Sequence, residues 1–157
     1  MKIVILGGNG QVGFELNKAL KKTNDLIVFS KESLDITNYK LVQKMINNIK
    51  PKILINAAAY NAVDQAENYK DIAYKVNSSA VENIAKSINK TGGYFIHYST
   101  NYVFNGSKET PYAEDYETDP INIYGKSKVS GEMKIKNLID NYFIFRTSAV
   151  IGKHGNN

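Results

Sequence analysis

A tyrosine and a lysine four positions apart, Tyr124 and Lys128, are the side chains in this sequence best suited to proton transfer. On a helix this spacing places both side chains on the same face. A tyrosine normally keeps its proton up to a pH of about 10, and a neighbouring cation lowers that pKa by favouring the phenolate. The hydroxyl of Thr100, at the end of an apolar segment, can bind the same substrate oxygen. Together the three residues suit the reduction of a carbonyl or the oxidation of an alcohol.

The Tyr-x-x-x-Lys pattern is not specific by itself. About one such pair is expected by chance in a chain this rich in Tyr and Lys, and one is present. An ordinary amphipathic helix with a half-buried Tyr and a solvated Lys would show the same letters. The pair gains significance from the elements that precede it in the chain.

A glycine-rich turn follows the first apolar segment, which runs from Lys2 to Leu6. The turn fits the G-x-G-x-x-G pattern at Gly8, Gly10 and Gly13, and it also fits the variant that begins at Gly7. Glycines there permit a tight turn, close approach of the backbone to a pyrophosphate, and close packing of a helix on a strand. The helix predicted directly after the turn points its first amides at the phosphates. The sequence therefore predicts a dinucleotide site.

The end of the second predicted strand bears on the choice of cofactor. The strand covers residues 26–29 and is followed by Ser30, Lys31 and Glu32. A carboxylate at this point usually binds the ribose hydroxyls of NAD, whereas a cation accommodates the 2′-phosphate of NADP. The hydroxyl and the cation slightly favour NADP(H), and Glu32 keeps NAD(H) open. Lys31 at the start of an ordinary solvated loop is the alternative interpretation.

Strands and helices alternate along the rest of the chain, which predicts an α/β fold: a Rossmann-type doubly wound parallel sheet with helices on both faces. A helix starting at Asn38 is expected to be capped by Thr37 or Asp35. Ligands bind such sheets across the carboxyl ends of the strands, where the glycine turn, residues 57–59 and residues 99–100 all lie. The predicted strands are 2–6, 26–29, 52–56, 94–99 and 141–147, and the predicted helices are 14–22, 38–49, 69–89 and 124–138, with an irregular stretch over 100–123.

Composition excludes several other classes of protein. The 157 residues fit one domain, and the net charge of +5 is scattered without a basic run, so no nucleic-acid partner is expected. Cys is absent and the two histidines, His97 and His154, are far apart, so no metal site is expected. No apolar run approaches the ~20 residues needed to cross a bilayer, which predicts no membrane partner and a cytoplasmic protein.

Five segments occur in the order GGNGQVG, NAAAYNAVDQAE, HYSTNYVF, NIYGKSKVSGE and FRTSAV. Through them nearly the whole chain resembles the extended short-chain dehydrogenase/reductase family, and within it the dTDP-4-dehydrorhamnose reductases. The resemblance implies an NAD(P)H-dependent oxidoreductase that reduces the 4-keto group of a nucleotide-activated deoxysugar. The implied reaction converts dTDP-4-dehydro-L-rhamnose to dTDP-L-rhamnose, in dTDP-rhamnose biosynthesis for cell-surface polysaccharide. A homodimer is compatible with the resemblance.

The resemblance also implies a role for individual residues. Tyr124 would give the proton to the sugar C4 oxygen, and Thr100 would hydrogen-bond that oxygen. Lys128 would bind the nicotinamide ribose and lower the pKa of Tyr124. Implied cofactor contacts are Gly7, Gly10, Gln11, Val12, Asp35, Ile36, Ala58, Ala59, Tyr60, Asn61, Tyr98 and Lys128, and implied substrate contacts are Thr100, Asn101 and Ala149.

The chain departs from the reductase pattern in three ways. Asn101 stands where the pattern has Asp, and Ala149 stands where it usually has an aromatic residue, often Trp. The third departure is length, because in the family a substrate-binding region follows the segment that ends here at Asn157. We therefore expect residues 1–157 to be the NAD(P)-binding domain, with the C-terminal substrate-binding region missing from this chain.

Alternative functions use the same residues. A nucleotide-sugar 4-epimerase shares the Tyr and Lys chemistry, whereas the related dehydratases place an Asp-Glu pair where this chain has Asn101 and Tyr102. A non-catalytic dinucleotide-binding regulatory subunit, similar to that of methionine adenosyltransferase, fits the changes at Asn101 and Ala149. Such a subunit does not require Thr100, Tyr124 and Lys128 together, which favours the enzyme.

Overall fold

One parallel sheet of five strands carries the fold in the computed structural model, which describes residues 1–22 and 25–152. The strands are β1 (Lys2–Leu6), β2 (Asp25–Phe29), β3 (Ile53–Asn56), β4 (Tyr94–Thr100) and β5 (Tyr142–Thr147). They stand in the order β2-β1-β3-β4-β5, so the chain reverses its direction of winding between β1 and β3. The predicted strands are confirmed to within one residue at each end. His154 lies outside the described residues.

The helices are α1 (Gln11–Leu20), α2 (Tyr39–Ile49), α3 (Val63–Ala66), α4 (Lys70–Tyr74), α5 (Ala80–Thr91) and α6 (Ile123–Leu138). Helices α2, α5 and α6 cover one face of the sheet, and α1 packs on the other. The predicted doubly wound α/β fold is therefore confirmed. None of the helices described in the structure is both long enough and apolar enough to span a membrane.

Each face of the sheet has its own apolar core, because successive side chains of a strand point to opposite faces. Within β1, Val4 and Leu6 belong to the larger core beneath α2, α5 and α6. Ile3 and Ile5 belong to the smaller core, against which Leu16 of α1 packs. Buried polar side chains lie at the carboxyl ends of the strands, namely Asn56 of β3 and Ser99 and Thr100 of β4.

Three helix predictions need correction. The first helix begins at Gln11 rather than Phe14. Asn38, not Thr37 or Asp35, caps α2, because its side chain accepts the amide of Leu41 at 3.2 Å. Asp35 instead accepts the amide of Thr37 at 2.8 Å in a local turn. The single helix predicted over 69–89 is interrupted by a π-helical turn, Lys75–Ser79, between α4 and α5.

Candidate active site

A groove of about 480 Å³ lies at the carboxyl ends of the strands, beside the point between β1 and β3 where the winding reverses. Doubly wound sheets bind their ligands at this position. The groove has both polar and apolar walls, supplied by the glycine turn, the segment after β2 and the segment after β3. Eight residues that the sequence implicates in cofactor binding line it: Gly7, Gly10, Asp35, Ile36, Ala58, Ala59, Tyr60 and Asn61.

The glycine turn brings bare backbone to the floor of this groove. Gly7 has a φ of +82°, a conformation that L side chains rarely adopt. Gly10 precedes α1 and offers no side chain, and no side-chain hydrogen bond caps that helix in the described part of the chain. The amides of the first turn of α1 can therefore bind an anion. Gln11 and Val12, the first residues of α1, are half-buried beside them. These features fit a dinucleotide pyrophosphate.

Gly7→Ala should weaken cofactor binding at least tenfold. A Cβ at Gly7 would lie 2.6 Å from the amide nitrogen of Ala58, so the turn and the segment after β3 would have to separate. We expect a loss of stability of at least about 2 kcal/mol, because a backbone clash adds to the cost of the left-handed conformation. Gly92→Ala is the matched control, since Gly92 has a φ of +69° with nothing within 4 Å. Urea denaturation and NADPH fluorescence titration of both variants test this, and equal effects on both would contradict it.

Opposite charges lie side by side on the wall of the groove that the segment after β2 forms, where Lys31 and Glu32 both line it. The Glu32 carboxylate accepts a hydrogen bond from the Asn9 side chain at 3.3 Å. A hydrogen bond from the Ser30 side chain is the main reason why the pKa of Glu32 lies below its usual range. The carboxylate is therefore ionised near neutral pH and close to Lys31. This rim has groups for either ribose hydroxyls or a 2′-phosphate.

Tyr124 sits in the first turn of α6, and its side chain is only 8 % exposed. The Asn122 side chain caps the helix by accepting the amide of Gly125 at 2.7 Å, and Glu67 accepts the amide of Ile123 at 2.8 Å. Burial raises the pKa of Tyr124, and a hydrogen bond with the Thr100 side chain partly opposes that increase. Thr100 and Tyr124, which the resemblance assigns to one substrate oxygen, are therefore in hydrogen-bond contact with each other. The expectation of a lowered pKa for Tyr124 is wrong for this structure, because burial outweighs the stabilising contacts.

Lys128 lies on the same buried face of α6 as Tyr124, as the spacing predicts, and its side chain is 1 % exposed. Its amine donates to the carbonyl of Tyr98 at 2.6 Å and lies 3.4 Å from Nε2 of His97. Burial lowers the pKa of Lys128 to about 8, although the charge of Glu132 acts in the opposite direction. Lysines are almost never fully buried without a reason, so the interpretation as a solvated helix residue is excluded. A strongly perturbed lysine beside a groove indicates a functional site.

Asn77 connects the π-helical turn to both the groove and α6. Its side chain accepts the amide of Tyr60 at 2.8 Å, and its amide group donates to the Tyr60 carbonyl at 3.1 Å and to the Ser127 hydroxyl at 3.0 Å. The turn thus holds the segment after β3 at a fixed distance from α6. Asn77 was not among the site residues predicted from the sequence. The available signal was a polar residue within an otherwise apolar helix stripe.

A buried charge network lies one turn beyond Lys128, on the same face of α6. Glu132 is 1 % exposed, and it accepts the Ser99 hydroxyl at 2.6 Å and the Arg146 guanidinium at 2.7 Å. Arg146 also donates to the carbonyl of Glu114 at 3.2 Å and lies over the ring of Phe104. Arg146 therefore holds the irregular segment after β4 against the end of the sheet. This network was not predicted from the sequence either.

The implied substrate residues occupy different surroundings. Thr100 is buried at the end of β4, next to Tyr124. Asn101 is exposed and lines a second cavity of about 650 Å³ together with Arg146 and Phe104. Ala149 is exposed, shortly after β5. Tyr98 places its carbonyl against Lys128, while its ring packs on Phe145 at 5.7 Å, on the far side of the strand.

The glycine turn and the cluster of Thr100, Tyr124 and Lys128 thus lie at one edge of a doubly wound sheet. A family model described as RmlD substrate binding domain matches residues 1–157, the whole chain. The chain belongs to that family. The likeness to dTDP-4-dehydrorhamnose reductases inferred from the sequence is confirmed with it.

Individual RmlD relatives agree with this assignment. The dTDP-4-dehydrorhamnose reductase of Salmonella typhimurium is 42% identical over 161 residues, which cover 100% of this chain and 54% of the relative. The spore coat polysaccharide biosynthesis protein SpsK of Bacillus subtilis is 38% identical, covering 99% of this chain and 56% of SpsK. The chain therefore spans about half the length of the curated relatives it matches.

A solved structure of a dTDP-4-dehydrorhamnose reductase superposes closely on this chain. The dTDP-4-dehydrorhamnose reductase of Bacillus anthracis, crystallised in complex with NADP, matches with a TM-score of 0.97 and 44% identity. The match covers 100% of this chain and 57% of that one. The arrangement of strands and helices found here is therefore that of the corresponding part of an RmlD-type reductase.

Proposed function

We propose that the full-length protein reduces the 4-keto group of a nucleotide-activated deoxysugar with NAD(P)H, and that dTDP-4-dehydro-L-rhamnose is the substrate. Residues 1–157 supply the dinucleotide site and the proton donor. The reaction takes place in the cytoplasm, and its product, dTDP-L-rhamnose, is used for the synthesis of cell-surface polysaccharide. The names of the relatives above and the NADP complex of the Bacillus anthracis reductase support this choice of substrate and cofactor.

The burial of Lys128 beside the Thr100–Tyr124 pair is the observation that carries the proposal. A protein that only bound a dinucleotide would have no use for a pair of hydroxyls placed for proton transfer beside a buried amine, which is costly to desolvate. The same cost is justified where the amine orients a bound ribose and where the adjacent hydroxyl groups transfer a proton. The regulatory-subunit alternative therefore explains less of the site.

Proton transfer follows from the geometry of Tyr124. The raised pKa keeps Tyr124 protonated near neutral pH, which is the state that a proton donor needs. The dinucleotide supplies a hydride to the carbonyl carbon when it is bound. As negative charge develops on the carbonyl oxygen, Tyr124 gives its proton to that oxygen and becomes a phenolate. The Thr100 hydroxyl donates a hydrogen bond to the same centre and stabilises the charge.

The segments along the groove can be matched, in order, to the parts of a dinucleotide. The segment that carries Asp35 and Ile36 would hold the adenosine end, and the turn at Gly7 and Gly10 would hold the pyrophosphate. The Lys128 amine would donate to the nicotinamide ribose, since it is anchored on one side by the Tyr98 carbonyl and has further N–H donors to offer.

Lys31→Ala should change the choice between the two cofactors. Loss of the cation at the ribose end should raise the KM for NADPH about tenfold, equivalent to ~1.4 kcal/mol, and leave the KM for NADH nearly unchanged. Glu32→Gln should act in the opposite sense, because it removes a carboxylate that repels the 2′-phosphate. Lys44→Ala, exposed on α2, is the control. Steady-state kinetics with both cofactors test this, and equal changes for NADPH and NADH would place the 2′-position elsewhere.

The proposed reaction is tested with the full-length protein, reduced cofactor and dTDP-4-dehydro-L-rhamnose. Loss of absorbance from NADPH or NADH should depend on the sugar, and the product should be dTDP-L-rhamnose. Cofactor binding without any oxidation would contradict the proposal and favour the regulatory-subunit alternative. Interconversion of nucleotide sugars without net loss of reduced cofactor would indicate a 4-epimerase.

A further inference from the structure

The first turn of α6, which carries Tyr124, is held by a carboxylate from another element. Glu67 directly follows the short helix α3, and its Oε1 accepts the amide of Ile123 at 2.8 Å, although the two residues are 56 positions apart. Ile123 is the first residue of α6, and an amide at that position has no acceptor within its own helix. The hydrogen bond therefore joins the start of α6 to the segment that follows β3.

The helix does not need this bond in order to begin. Asn122 already provides the usual cap, because its side chain accepts the amide of Gly125 at 2.7 Å. Asn77 holds α6 at the Ser127 hydroxyl, one turn later, and does not bond to the first turn. What Glu67 adds is a polar connection between two elements, and that connection helps to fix where the first turn lies.

The segment connected in this way also lines the dinucleotide groove. Tyr60 and Asn61, shortly before α3, form part of the groove wall. Ala66, the last residue of α3, is completely buried in the small apolar cluster that contains the ring of Tyr124. One short stretch of chain, residues 60–67, therefore lines the proposed cofactor site at its beginning and packs with the proposed proton donor at its end.

A second contact reaches the first turn from the segment that carries Thr100. Gly125 is buried against the carbonyl of Tyr102, and a Cβ on Gly125 would overlap that carbonyl. The amide of Tyr102 in turn donates to the Thr100 hydroxyl at 3.2 Å. The turn that carries Tyr124 is thus fixed both to the end of β4 and to the segment after β3, and removal of Glu67 would break the hydrogen bond on the side of the groove.

We propose that Glu67 is a positioning residue that, through the amide of Ile123, holds the Tyr124 hydroxyl at the distance from the groove that proton transfer requires. The effect on turnover rests on the proposed function, in which Tyr124 protonates the carbonyl oxygen and the dinucleotide in the groove supplies the hydride. Both groups must reach the same carbonyl, and a displacement of about 1 Å can lower the rate by ~10²-fold. Glu67 itself is exposed and does not line the groove.

Three variants of the full-length protein separate positioning from a general effect of charge. Glu67→Ala removes the acceptor, whereas Glu67→Gln keeps an acceptor oxygen of the same reach without the negative charge. Asp64→Ala is the matched control, because Asp64 is an exposed carboxylate of α3 whose side chain makes no hydrogen bond or ion pair within the described residues. Circular dichroism identifies a temperature at which each variant is folded, and the kinetics are measured there.

Two measurements follow, one of turnover and one of the contact itself. We expect Glu67→Ala to lower kcat for sugar reduction about tenfold or more with NADPH affinity within a factor of about two, and Glu67→Gln and Asp64→Ala to stay within about twofold of the natural kcat. Hydrogen exchange of the Ile123 amide, followed by nuclear magnetic resonance without cofactor or sugar, should be at least about tenfold faster in Glu67→Ala than in the natural protein. Glu67→Gln and Asp64→Ala should keep the protection.

Equal exchange rates of the Ile123 amide in the natural protein and in Glu67→Ala would overturn the proposal, and so would a folded Glu67→Ala variant with the natural kcat. An equal loss of kcat in Glu67→Gln and Glu67→Ala would also overturn it, because charge and not position would then matter. If Glu67→Ala does not fold, Glu67→Asp, which is one methylene shorter, replaces it with the same expected results. A natural protein that protects the Ile123 amide but reduces no sugar would refute the proposed function, while the exchange result would still show that Glu67 holds α6.

Discussion

Tyr124→Phe should lower kcat for sugar reduction by about 10²–10⁴-fold while leaving NADPH affinity within a factor of about two. Phenylalanine keeps the ring that packs edge-on against Tyr102 at 5.8 Å and fills the small apolar cluster of Ala66 and Ala73. Only the hydroxyl is lost, and with it the proton donor and the partner of Thr100. The rate should therefore fall at the chemical step and not at cofactor binding.

Single-turnover oxidation of bound NADPH and a fluorescence titration measure these two effects separately. Tyr102→Phe is the matched control, because its ring is next to that of Tyr124 and 44% exposed. We expect the control to retain most of the activity. A Tyr124→Phe variant with nearly normal kcat would show that another group, or water, delivers the proton. That result would remove Tyr124 from the proposed mechanism while leaving the dinucleotide site unaffected.

The pH dependence of the same assay should follow from the raised pKa of Tyr124. Reduction needs the protonated tyrosine. Activity should therefore persist to a higher pH than it would if Tyr124 had the pKa of an ordinary phenol. The sequence suggested a lowered pKa because the i, i+4 lysine was treated as a simple cation beside the hydroxyl. The structure instead commits the Lys128 amine to the Tyr98 carbonyl and buries the phenol.

Local patterns in the sequence were sufficient for most of the fold. Apolar strands of four to seven residues, a glycine turn after β1 and Gly92 after α5 each have a short-range physical cause. The groove residues came from the glycine turn, from the small residues after the third strand and from the resemblance, and the fold places them together because the carboxyl ends of parallel strands share one edge. The role of Asn77 in the π-helical turn was not predictable, since its hydrogen-bond partners, Tyr60 and Ser127, are distant in sequence.

Buried polar residues were the main omission, and the reason is physical. Asn56, His97 and Glu132 are each completely or almost completely buried, and each is stable there only because partners from other elements satisfy its hydrogen bonds. Sequence periodicity shows which face of a strand or helix a residue lies on, but it does not show which residues of other elements contact it. His97 and Ser99 alternate with Ile96 and Tyr98 along β4, so the pattern placed two polar side chains on a buried face without explaining them.

Lys128→Met should reduce turnover by at least about 10²-fold, because the amine that we propose binds the nicotinamide ribose beside Tyr124 is lost. Its effect on stability should depend on pH in a direction that the burial of Lys128 fixes. The pKa of Lys128 is about 8 in the folded protein, against an ordinary value of 10.5. Between these values the unfolded chain binds more protons than the folded one, so the natural protein gains stability as the pH rises.

Below a pH of about 8 both states hold the proton, and the full cost of burying the ammonium is present. Methionine has no such cost, and it fills a similar volume. The stability of Lys128→Met relative to the natural protein should therefore be greatest near neutral pH and fall by roughly 2 kcal/mol between about pH 7.5 and about pH 10. Because the comparison is a difference between two proteins, the titration of other surface groups cancels.

Urea denaturation of the natural protein, Lys128→Met and Lys126→Met at the two pH values measures this difference. Lys126 is exposed on the same helix, and its replacement should change the free energy of unfolding by less than about 0.5 kcal/mol at either pH. A difference for Lys128→Met that does not change with pH would mean that Lys128 is not held against its ordinary protonation equilibrium. A buried amine that lowers the stability of the protein near neutral pH is expected where the amine is needed for the reaction. Turnover and the free energy of unfolding, both measured on Lys128→Met, test the two parts of that statement.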